Sequence, residues 1–291
     1  VPSTYSIITN VDKEHMDYYK DINNLKKLFI KFIEKTPSFG KSFICLDDSN
    51  NKEIISKLKI KNFHTYGVDK KSQFRIKNIF QLKEYSIFDL TINLPGKKNY
   101  IIKNIKIPLL GLHNIRNATA AVAVSTIIGI SLKIIKKALR EFKGVQRRFN
   151  KIFTFNNTIF FDDYAHHPTE IKELLKGVKK SYIEKEIICI FQPHRISRLN
   201  NLKKEFSLSF KDAHKVILCP VYAAGEKLKL KFNYFNFANT ICKNSKVNVL
   251  LIKNEKQLAR YVKQNIFGEK IVIGMGAGSI SNWVRNLPNL L

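Results

Sequence analysis

The chain contains 291 residues, enough for one large domain or two domains of moderate size. Hydrophobic residues make up 44% of it and charged residues 25%, which is typical of a folded globular protein and not of a disordered segment. No apolar stretch reaches about 18 residues and the N-terminus has no secretion signal, so we expect neither a membrane span nor secretion. The four cysteines include no Cys-x-x-Cys pair, which favours reduced thiols in a cytoplasmic protein over disulfides or a zinc site.

The formal net charge of the chain is +28, from 51 Lys and Arg residues against 23 Asp and Glu. Only nine of the basic residues are Arg, the side chain that most often reads base edges, and Lys is scattered through every segment. We interpret most of this charge as a solvated, lysine-rich surface and expect no nucleic-acid partner. A basic nucleic-acid-binding module is the alternative from another class of protein. The positive field would also favour anionic substrates such as nucleotides.

In the first half of the chain, short apolar runs alternate with helical patterns. The predicted elements are a strand end at 5–10, a helix at 21–35, a strand at 42–46, a helix at 52–58 and a strand at 63–67. Residues 74–107 alternate with period two, which predicts antiparallel strands. Two helices follow, over 117–128 and 132–142, separated at Gly129.

The second half begins with a predicted hairpin over 151–161 and continues as strand–helix repeats. The helices are predicted at 169–179, 200–210, 235–243, 255–265 and 280–287, and the strands at 186–191, 214–219, 247–252 and 270–274. This alternation predicts a doubly wound, Rossmann-like α/β domain with a parallel sheet. Because the pattern restarts near residue 147, we predict two domains, 1–146 and 147–291.

A polar segment, Asp162-Asp163-Tyr164-Ala165-His166-His167-Pro168-Thr169, follows the second hairpin strand. Ligands of open α/β sheets bind at the carboxyl ends of strands, which makes this loop a candidate site. Pro168 suits the first turn of a helix, so both histidines are expected at its N-terminal end. The group could bind a ribose, a charged substrate or a metal. A capped helix start with solvated histidines is the structural alternative.

Two further strand-to-helix loops are candidate binding sites. Arg195 and Arg198 are three residues apart in Gln192-Pro193-His194-Arg195-Ile196-Ser197-Arg198, so on one helical turn they would face the same way and suit a carboxylate or phosphate. Structural salt bridges are the alternative for this pair. The third loop, 274–279, has Ser279 where a dinucleotide fingerprint requires Gly. It forms either an anion-binding nest or a plain tight turn.

Smaller signals lie in the first half and at the predicted boundary. Acidic side chains and His15 crowd the loop 12–17, as in oxygen-rich metal sites, although Mg²⁺ prefers oxygen to imidazole. Polar side chains gather at a helix entrance over 111–117, more of them than helix capping requires. An Arg pair at 147–148 is either a phosphate contact or a surface pair. Gly40-Lys41-Ser42 lacks the upstream Gly of a P-loop, so no phosphate-cradling loop is predicted in this chain.

Taken together, these motifs resemble the Mur ligase family, and within it the member that adds L-alanine. The matching segments occur in family order at 9–17, 111–118, 144–149, 162–170, 191–198, 221–226 and 276–278. The resemblance implies that 1–146 is the C-terminal part of the central ATP-binding domain, a mixed sheet with helices, and that 147–291 is the Mur ligase C-terminal domain. It also implies an N-terminal domain, a P-loop and an acidic Mg²⁺ ligand before the present first residue. We therefore expect residues 1–291 alone to be inactive.

The activity implied by the resemblance is ATP-dependent amide ligation with Mg²⁺, adding L-alanine to UDP-N-acetylmuramate through an acyl phosphate. It would serve peptidoglycan-precursor synthesis in the cytoplasm, and with it cell-wall biogenesis, cell shape and division. Another Mur-type ligase, such as a murein-tripeptide recycling enzyme, is the close alternative.

The resemblance assigns roles residue by residue. His15 resembles a metal ligand. The residues that resemble ATP contacts are His113, Asn114, Asn117, Arg148 and Asp163. Those that resemble the pocket for L-alanine and the muramoyl end are Tyr164, His166, His194, Arg195 and Arg198. The oligomeric state is not predicted by any of these patterns.

Overall fold

The structure is a computed structural model that describes residues 3–13, 16–82, 84–142, 144–226 and 232–291. The chain divides into two compact units, Val1–Lys143 and Gly144–Leu291, which we call the N-terminal unit and the C-terminal unit.

In the N-terminal unit the strands are β1 (Tyr5–Ile8), β2 (Lys41–Cys45), β3 (Phe63–Gly67), β4 (Phe74–Gln81), β5 (Ser86–Ile92) and β6 (Tyr100–Ile107). The helices are α1 (Met16–Tyr19), α2 (Ile22–Glu34), α3 (Ser49–Lys57), α4 (Leu112–Ile127) and α5 (Leu132–Glu141). The strands form one sheet in chain order, parallel from β1 to β4 and antiparallel from β4 to β6. This is the expected mixed sheet, and the antiparallel part is the region of period-two alternation.

The polar motif at the start of α4 is confirmed at a helix entrance, although the helix begins at Leu112, earlier than predicted. Gly111 has φ +91°, a left-handed conformation that favours glycine. A Cβ atom there would lie 2.6 Å from the ring of His113, so the imidazole covers the glycine. The Gly-Lys-Ser triplet at 40–42 leads into β2, as the rejection of a P-loop required.

In the C-terminal unit the strands are β7 (Asn150–Phe155), β8 (Thr158–Asp163), β9 (Glu186–Phe191), β10 (Lys215–Leu218), β11 (Asn248–Leu251) and β12 (Lys270–Met275). The helices are α6 (Pro168–Ser181), α7 (Ile196–Asn201), α8 (Lys203–Ser207), α9 (Tyr234–Ser245), α10 (Glu255–Asn265) and α11 (Ile280–Asn286), followed by a 3₁₀ turn at Leu287–Asn289.

The sheet of the C-terminal unit has the order β11-β10-β9-β12-β8-β7, parallel except for the β7–β8 hairpin. Successive side chains of β9 enter different cores, because Cys189 packs with α6 and α9 while Ile188 and Ile190 pack with α10 and α11. Helices therefore cover both faces, which confirms the doubly wound fold. The chain moves outward from β9 to β11 and then returns to β12 on the other side of β9, so the topological switch point lies between β9 and β12.

One helix differs from the prediction. The predicted helix at 200–210 is two short helices, α7 and α8, that meet at Leu202. Leu202 has φ −120° and ψ 25°, outside helical geometry, and its side chain is buried with Leu199 and Phe206. Burial of these apolar side chains thus overrides the local helical pattern. Among the described residues, no helix combines the length and apolarity needed to cross a bilayer.

Candidate functional site

The site of the C-terminal unit is built on the loops that follow β8, β9 and β12. β12 pairs in parallel with β8 on one side and with β9 on the other, so the carboxyl ends of all three strands lie side by side. Two of these strands flank the topological switch point, where ligands of doubly wound sheets bind.

The loop after β8 holds both histidines at the start of α6, as predicted. His167 is the N-cap residue, with Pro168 in the first turn. The Glu170 carboxylate accepts hydrogen bonds from the backbone N–H groups of His166, at 3.0 Å, and His167, at 3.2 Å. The Nδ1 atom of His166 lies 2.9 Å from the carbonyl oxygen of Tyr164 and 3.4 Å from Glu170. Helix α6 is therefore capped at its N-terminus, and the imidazole of His166 is oriented by the Tyr164 carbonyl group and the Glu170 carboxylate.

Asp163 is buried, and both of its carboxylate oxygens accept backbone hydrogen bonds. Oδ1 accepts from the N–H of Ala165 at 2.7 Å, and Oδ2 accepts from the N–H of Phe149 at 2.8 Å. Burial raises the pKa of this carboxyl to about 6, against the lowering effect of these hydrogen bonds and of Arg148. Asp163 thus fixes the start of the unit against the loop after β8.

The two arginines at the start of the C-terminal unit have different surroundings. Arg147 donates to the carbonyl oxygen of Gly276 at 2.6 Å, and its guanidinium lies 4.8 Å from the ring centre of Tyr164. Arg148 is half exposed, with a guanidinium nitrogen 3.8 Å from the Glu170 carboxylate. Arg147 therefore joins two loops of the site, whereas Arg148 has a side chain that can turn toward a ligand.

The glycine-rich loop after β12 packs closely against the loop after β9. Gln192 accepts a hydrogen bond from the N–H of Ile280 at 3.0 Å. A Cβ atom on Gly276 would lie 2.7 Å from the carbonyl oxygen of Gln192, and one on Gly278 would lie 2.5 Å from the ring of Tyr222. These close approaches require glycine. They favour the tight-turn interpretation of 274–279 over an anion-binding nest.

His194, in the loop after β9, is surrounded by rings and cations. Its imidazole stacks on Tyr222, with centroids 5.6 Å apart, and meets His166 edge-on at 5.7 Å. A guanidinium nitrogen of Arg198 lies 3.4 Å from its Nδ1 atom. Burial, then Arg198, His166 and Arg195, lower the pKa of His194 to about 4, although Glu226 opposes them. The ring is therefore neutral near pH 7.

The prediction that Arg195 and Arg198 share one turn of a helix is wrong. Arg195 precedes α7 and has φ +69°, so the two arginines do not share a helical turn. The backbone N–H of Arg195 instead donates to the carbonyl oxygen of Tyr222 at 2.9 Å. Arg198 lies within α7, beside His194. What places the pair is thus the loop geometry and not the three-residue spacing.

Two side-chain contacts at the site are not predicted from the sequence. Glu226 caps α7 from a distant loop, and Arg285 pairs at 3.0 Å with Asp162, whose side chain is fully buried. The resemblance to the Mur ligases includes the segment 221–226 but assigns no role to its carboxylate. For Arg285 the sequence contains no signal, because its partner is far away along the chain.

In the N-terminal unit, the predicted ATP contacts lie at the start of α4. Asn114 donates its side-chain N–H to the carbonyl oxygen of Leu110 at 2.7 Å, whereas Asn117 is exposed. The neighbouring Arg116 pairs at 2.6 Å with Asp47, which the sequence did not indicate. His15 lies outside the described residues. Within the described ranges, no group of three or more His, Cys, Asp or Glu side chains could hold a metal ion.

Two protein-family models match the chain: the Mur ligase middle domain at residues 1–125 and the "Mur ligase, glutamate ligase domain" at 147–278. A UDP-N-acetylmuramate–L-alanine ligase of Pelagibacter ubique is 67% identical over 291 residues, which is 100% of this chain and 63% of that protein. The chain thus spans less than two thirds of the length of this relative.

Solved structures share the fold. The UDP-N-acetylmuramate–alanine ligase MurC of Thermotoga maritima has a TM-score of 0.74 at 24% identity, covering 99% of this chain and 59% of that one. The MurF ligase of Thermotoga maritima in complex with ADP has a TM-score of 0.71 at 13% identity, covering 100% of this chain and 62% of that one. Both family models match in order, and a relative is 67% identical over all 291 residues of this chain, so the chain belongs to the Mur ligase family.

Proposed function

We propose that this chain forms the middle and C-terminal parts of an ATP-dependent ligase that joins L-alanine to UDP-N-acetylmuramate. The observation that carries the proposal is the 67% identity, over the entire chain, to the Pelagibacter ubique protein of that name. We further propose that 1–146 is the C-terminal part of the ATP-binding domain and 147–291 the Mur ligase C-terminal domain. The reaction would take place in the cytoplasm, where ATP is available.

The arrangement around His194 supports an amino-acid pocket in the C-terminal unit. Arg195 and Arg198 supply positive charge for a carboxylate, and guanidinium–carboxylate hydrogen bonds are strong because both partners are charged. His194, neutral and in contact with Arg198, offers a polar ring without adding a third charge. Tyr164 and His166 complete the rim, with the ring of Tyr164 5.0 Å from that of His166.

Each unit, taken separately, contains candidate contacts for ATP. Arg148 is a half-exposed cation in the C-terminal unit and suits a phosphate. Asp163 suits a ribose hydroxyl only through lone pairs left by its two backbone hydrogen bonds. In the N-terminal unit, Asn117 is exposed at the start of α4, beside His113 and Asn114, and these side chains are candidates for the adenine. The ADP held by the MurF neighbour agrees with a nucleotide site in this fold.

When bound, ATP would supply the phosphoryl group that converts the lactyl carboxylate of the sugar into an acyl phosphate. The contribution of this chain is to hold the amino acid by its carboxylate, so that its amine is positioned for attack. The cations around the pocket would also stabilise negative charge as the tetrahedral centre forms. His15, the residue that resembles a Mg²⁺ ligand, lies outside the described residues, within which no group of three or more His, Cys, Asp or Glu side chains could hold a metal ion.

A chimera tests the proposal. The part of the Pelagibacter ubique ligase that this chain does not match is joined to residues 1–291, and phosphate release is measured with UDP-N-acetylmuramate and a panel of amino acids. We expect kcat/KM to be highest for L-alanine. Residues 1–291 alone, which contain no P-loop sequence, should release no phosphate.

Two other results would favour the alternatives. If a murein tripeptide were used as well as L-alanine, the chain would belong to another type of Mur ligase. If the chimera were inactive and residues 1–291 bound duplex DNA tightly in a strongly salt-dependent way, with no thermal stabilisation by ADP, the nucleic-acid alternative would be favoured.

A further inference from the structure

The carboxylate of Glu226 caps the helix that carries Arg198. Its Oε2 atom accepts hydrogen bonds from the backbone N–H groups of Ile196, at 2.8 Å, and Ser197, at 3.2 Å. Its Oε1 atom accepts a short hydrogen bond from the Ser197 hydroxyl. The residue at the N-cap position, Arg195, supplies no side-chain cap of its own. The first N–H groups of a helix have no partner within it, so Glu226 supplies what α7 lacks.

Backbone hydrogen bonds join the same two segments. The N–H of Tyr222 donates to the carbonyl oxygen of Pro193 at 2.8 Å, and the N–H of Arg195 donates to the carbonyl oxygen of Tyr222 at 2.9 Å. His194 and Tyr222 therefore form a short parallel bridge. The segment 221–226 is attached to the loop after β9 at one end by backbone and at the other by Glu226.

This double attachment encloses a strained residue. Arg195 has φ +69°, a backbone conformation that residues other than glycine rarely adopt. Such a conformation persists only where the surroundings over-determine it. Here the Tyr222 carbonyl holds the N–H of Arg195, and Glu226 holds the two residues that follow it.

We propose that Glu226 is a positioning residue for the arginine pair. It fixes the start of α7 so that the side chains of Arg195 and Arg198 approach one substrate carboxylate from fixed positions. This inference rests on the proposed function, because it assumes that the pair binds the amino acid.

Steady-state kinetics of the chimera test the inference. Because a carboxylate clamp binds the ground state and the transition state alike, its loss raises KM more than it lowers kcat. For Glu226→Ala we expect the KM for L-alanine to rise about tenfold or more, with kcat within about threefold and the KM for ATP unchanged. Glu226→Gln, which keeps an acceptor oxygen, should restore part of the affinity. Glu205→Ala removes an exposed carboxylate nearby and is the matched control.

A double-mutant cycle separates positioning from a general loss of structure. If Glu226 acts through the arginine pair, adding Glu226→Ala to a variant that carries both Arg195→Ala and Arg198→Ala should leave the KM for L-alanine nearly unchanged. Fully additive effects, or a Glu226→Ala variant with an unchanged KM for L-alanine in an active chimera, would overturn the inference and leave the proposed function intact.

Amide hydrogen exchange of residues 1–291 gives a readout that needs no activity. The amides of Ile196 and Ser197 should exchange faster in Glu226→Ala than in the unsubstituted chain, and at an unchanged rate in Glu205→Ala. Unchanged protection in Glu226→Ala would overturn the inference, whatever the chimera does. A chimera that uses no amino acid, combined with lost protection, would refute the assignment of the substrate while leaving the cap itself established.

Discussion

The backbone N–H of Phe149 donates a 2.8 Å hydrogen bond to Oδ2 of Asp163, which joins the start of the C-terminal unit to the loop after β8. Phe149 has φ +52°, so this contact holds a residue in a left-handed conformation. The ring of Phe149 also stacks on Phe161, with centroids 4.1 Å apart. A buried carboxyl and an aromatic stack together define how the chain enters this unit.

The pKa of Asp163 leads to a prediction for stability. Burial raises this pKa to about 6, so between about pH 4 and 6 the unfolded chain is ionised while the folded chain retains its proton. The free energy of unfolding should therefore fall as pH rises through this window, by roughly 3 kcal/mol at most. Denaturant titrations at several pH values measure the slope.

The control for this prediction is a pair of substitutions. Asp163→Asn should remove most of the slope, whereas Glu184→Gln, at an exposed position, should leave it in place. A slope that is the same in the Asp163→Asn variant would show that another group titrates.

His194 should remain neutral down to about pH 5. Burial and Arg198 lower its pKa to about 4, so its imidazole resonances should not titrate between pH 5 and 9. NMR spectra of labelled histidine, assigned with a His194→Gln variant, check this. Since the unfolded chain takes up the proton first, this residue costs stability as pH falls from its ordinary value toward 4.

A substitution of Arg198 tests the cause of the lowered pKa of His194. Arg198→Ala removes one of the causes of the lowered pKa, so the midpoint should move toward the ordinary value for histidine. A midpoint above 6 in the unsubstituted chain would contradict the geometry described for this ring.

Arg195→Ala in the chimera should mainly reduce the use of L-alanine. Loss of a charge-assisted hydrogen bond of about 1.5–3 kcal/mol corresponds to a decrease in kcat/KM of about ten- to hundredfold. The melting temperature should change little. The control is Arg260→Ala, an exposed arginine on α10. Unfolding of the Arg195→Ala variant with unchanged KM values would instead indicate a structural salt bridge.

Arg285→Ala should destabilise the C-terminal unit. Asp162 is fully buried, and its Oδ2 atom accepts from Arg285 at 3.0 Å and from the Ser281 hydroxyl at 2.6 Å. Without the guanidinium, the buried carboxylate keeps only the hydroxyl. Because Arg285 is itself about half exposed, we expect a loss of about 1–3 kcal/mol in the free energy of unfolding.

Denaturant unfolding measures this loss. The double variant Asp162→Asn with Arg285→Ala should recover part of the stability, because it removes the unpaired charge. Equal stability of Arg285→Ala and Arg260→Ala would show that the ion pair contributes nothing.

Local patterns were sufficient for most of the elements. The strand–helix repeats after residue 158 were predicted because period-two and helical periodicities are visible within short windows. The hairpin at 150–163 and the N-cap at His167 likewise depend on neighbours along the chain. The break at Leu202 was not predictable in this way, because it depends on burial with residues from other elements.

The site was only partly accessible to the same reasoning. Its loops are predictable because polar residues follow buried strands, and the resemblance to the Mur ligases assigns roles to individual residues in them. The order of the strands, however, follows from pairings between segments far apart, so the contacts of Arg147 with Gly276 and of Glu226 with α7 could not be inferred.

The amino-acid sequence by itself determined the fold class, the sites of polar loops and the family. Each of these is a property of short windows or of motifs in order. The tertiary structure decided the contacts and surroundings of individual residues. It places Arg195 before α7, it brings Glu226 to the N-terminus of α7, and it lowers the pKa of His194. The physical reason is that hydrogen-bond partners and burial depend on packing between distant segments, which no local periodicity encodes.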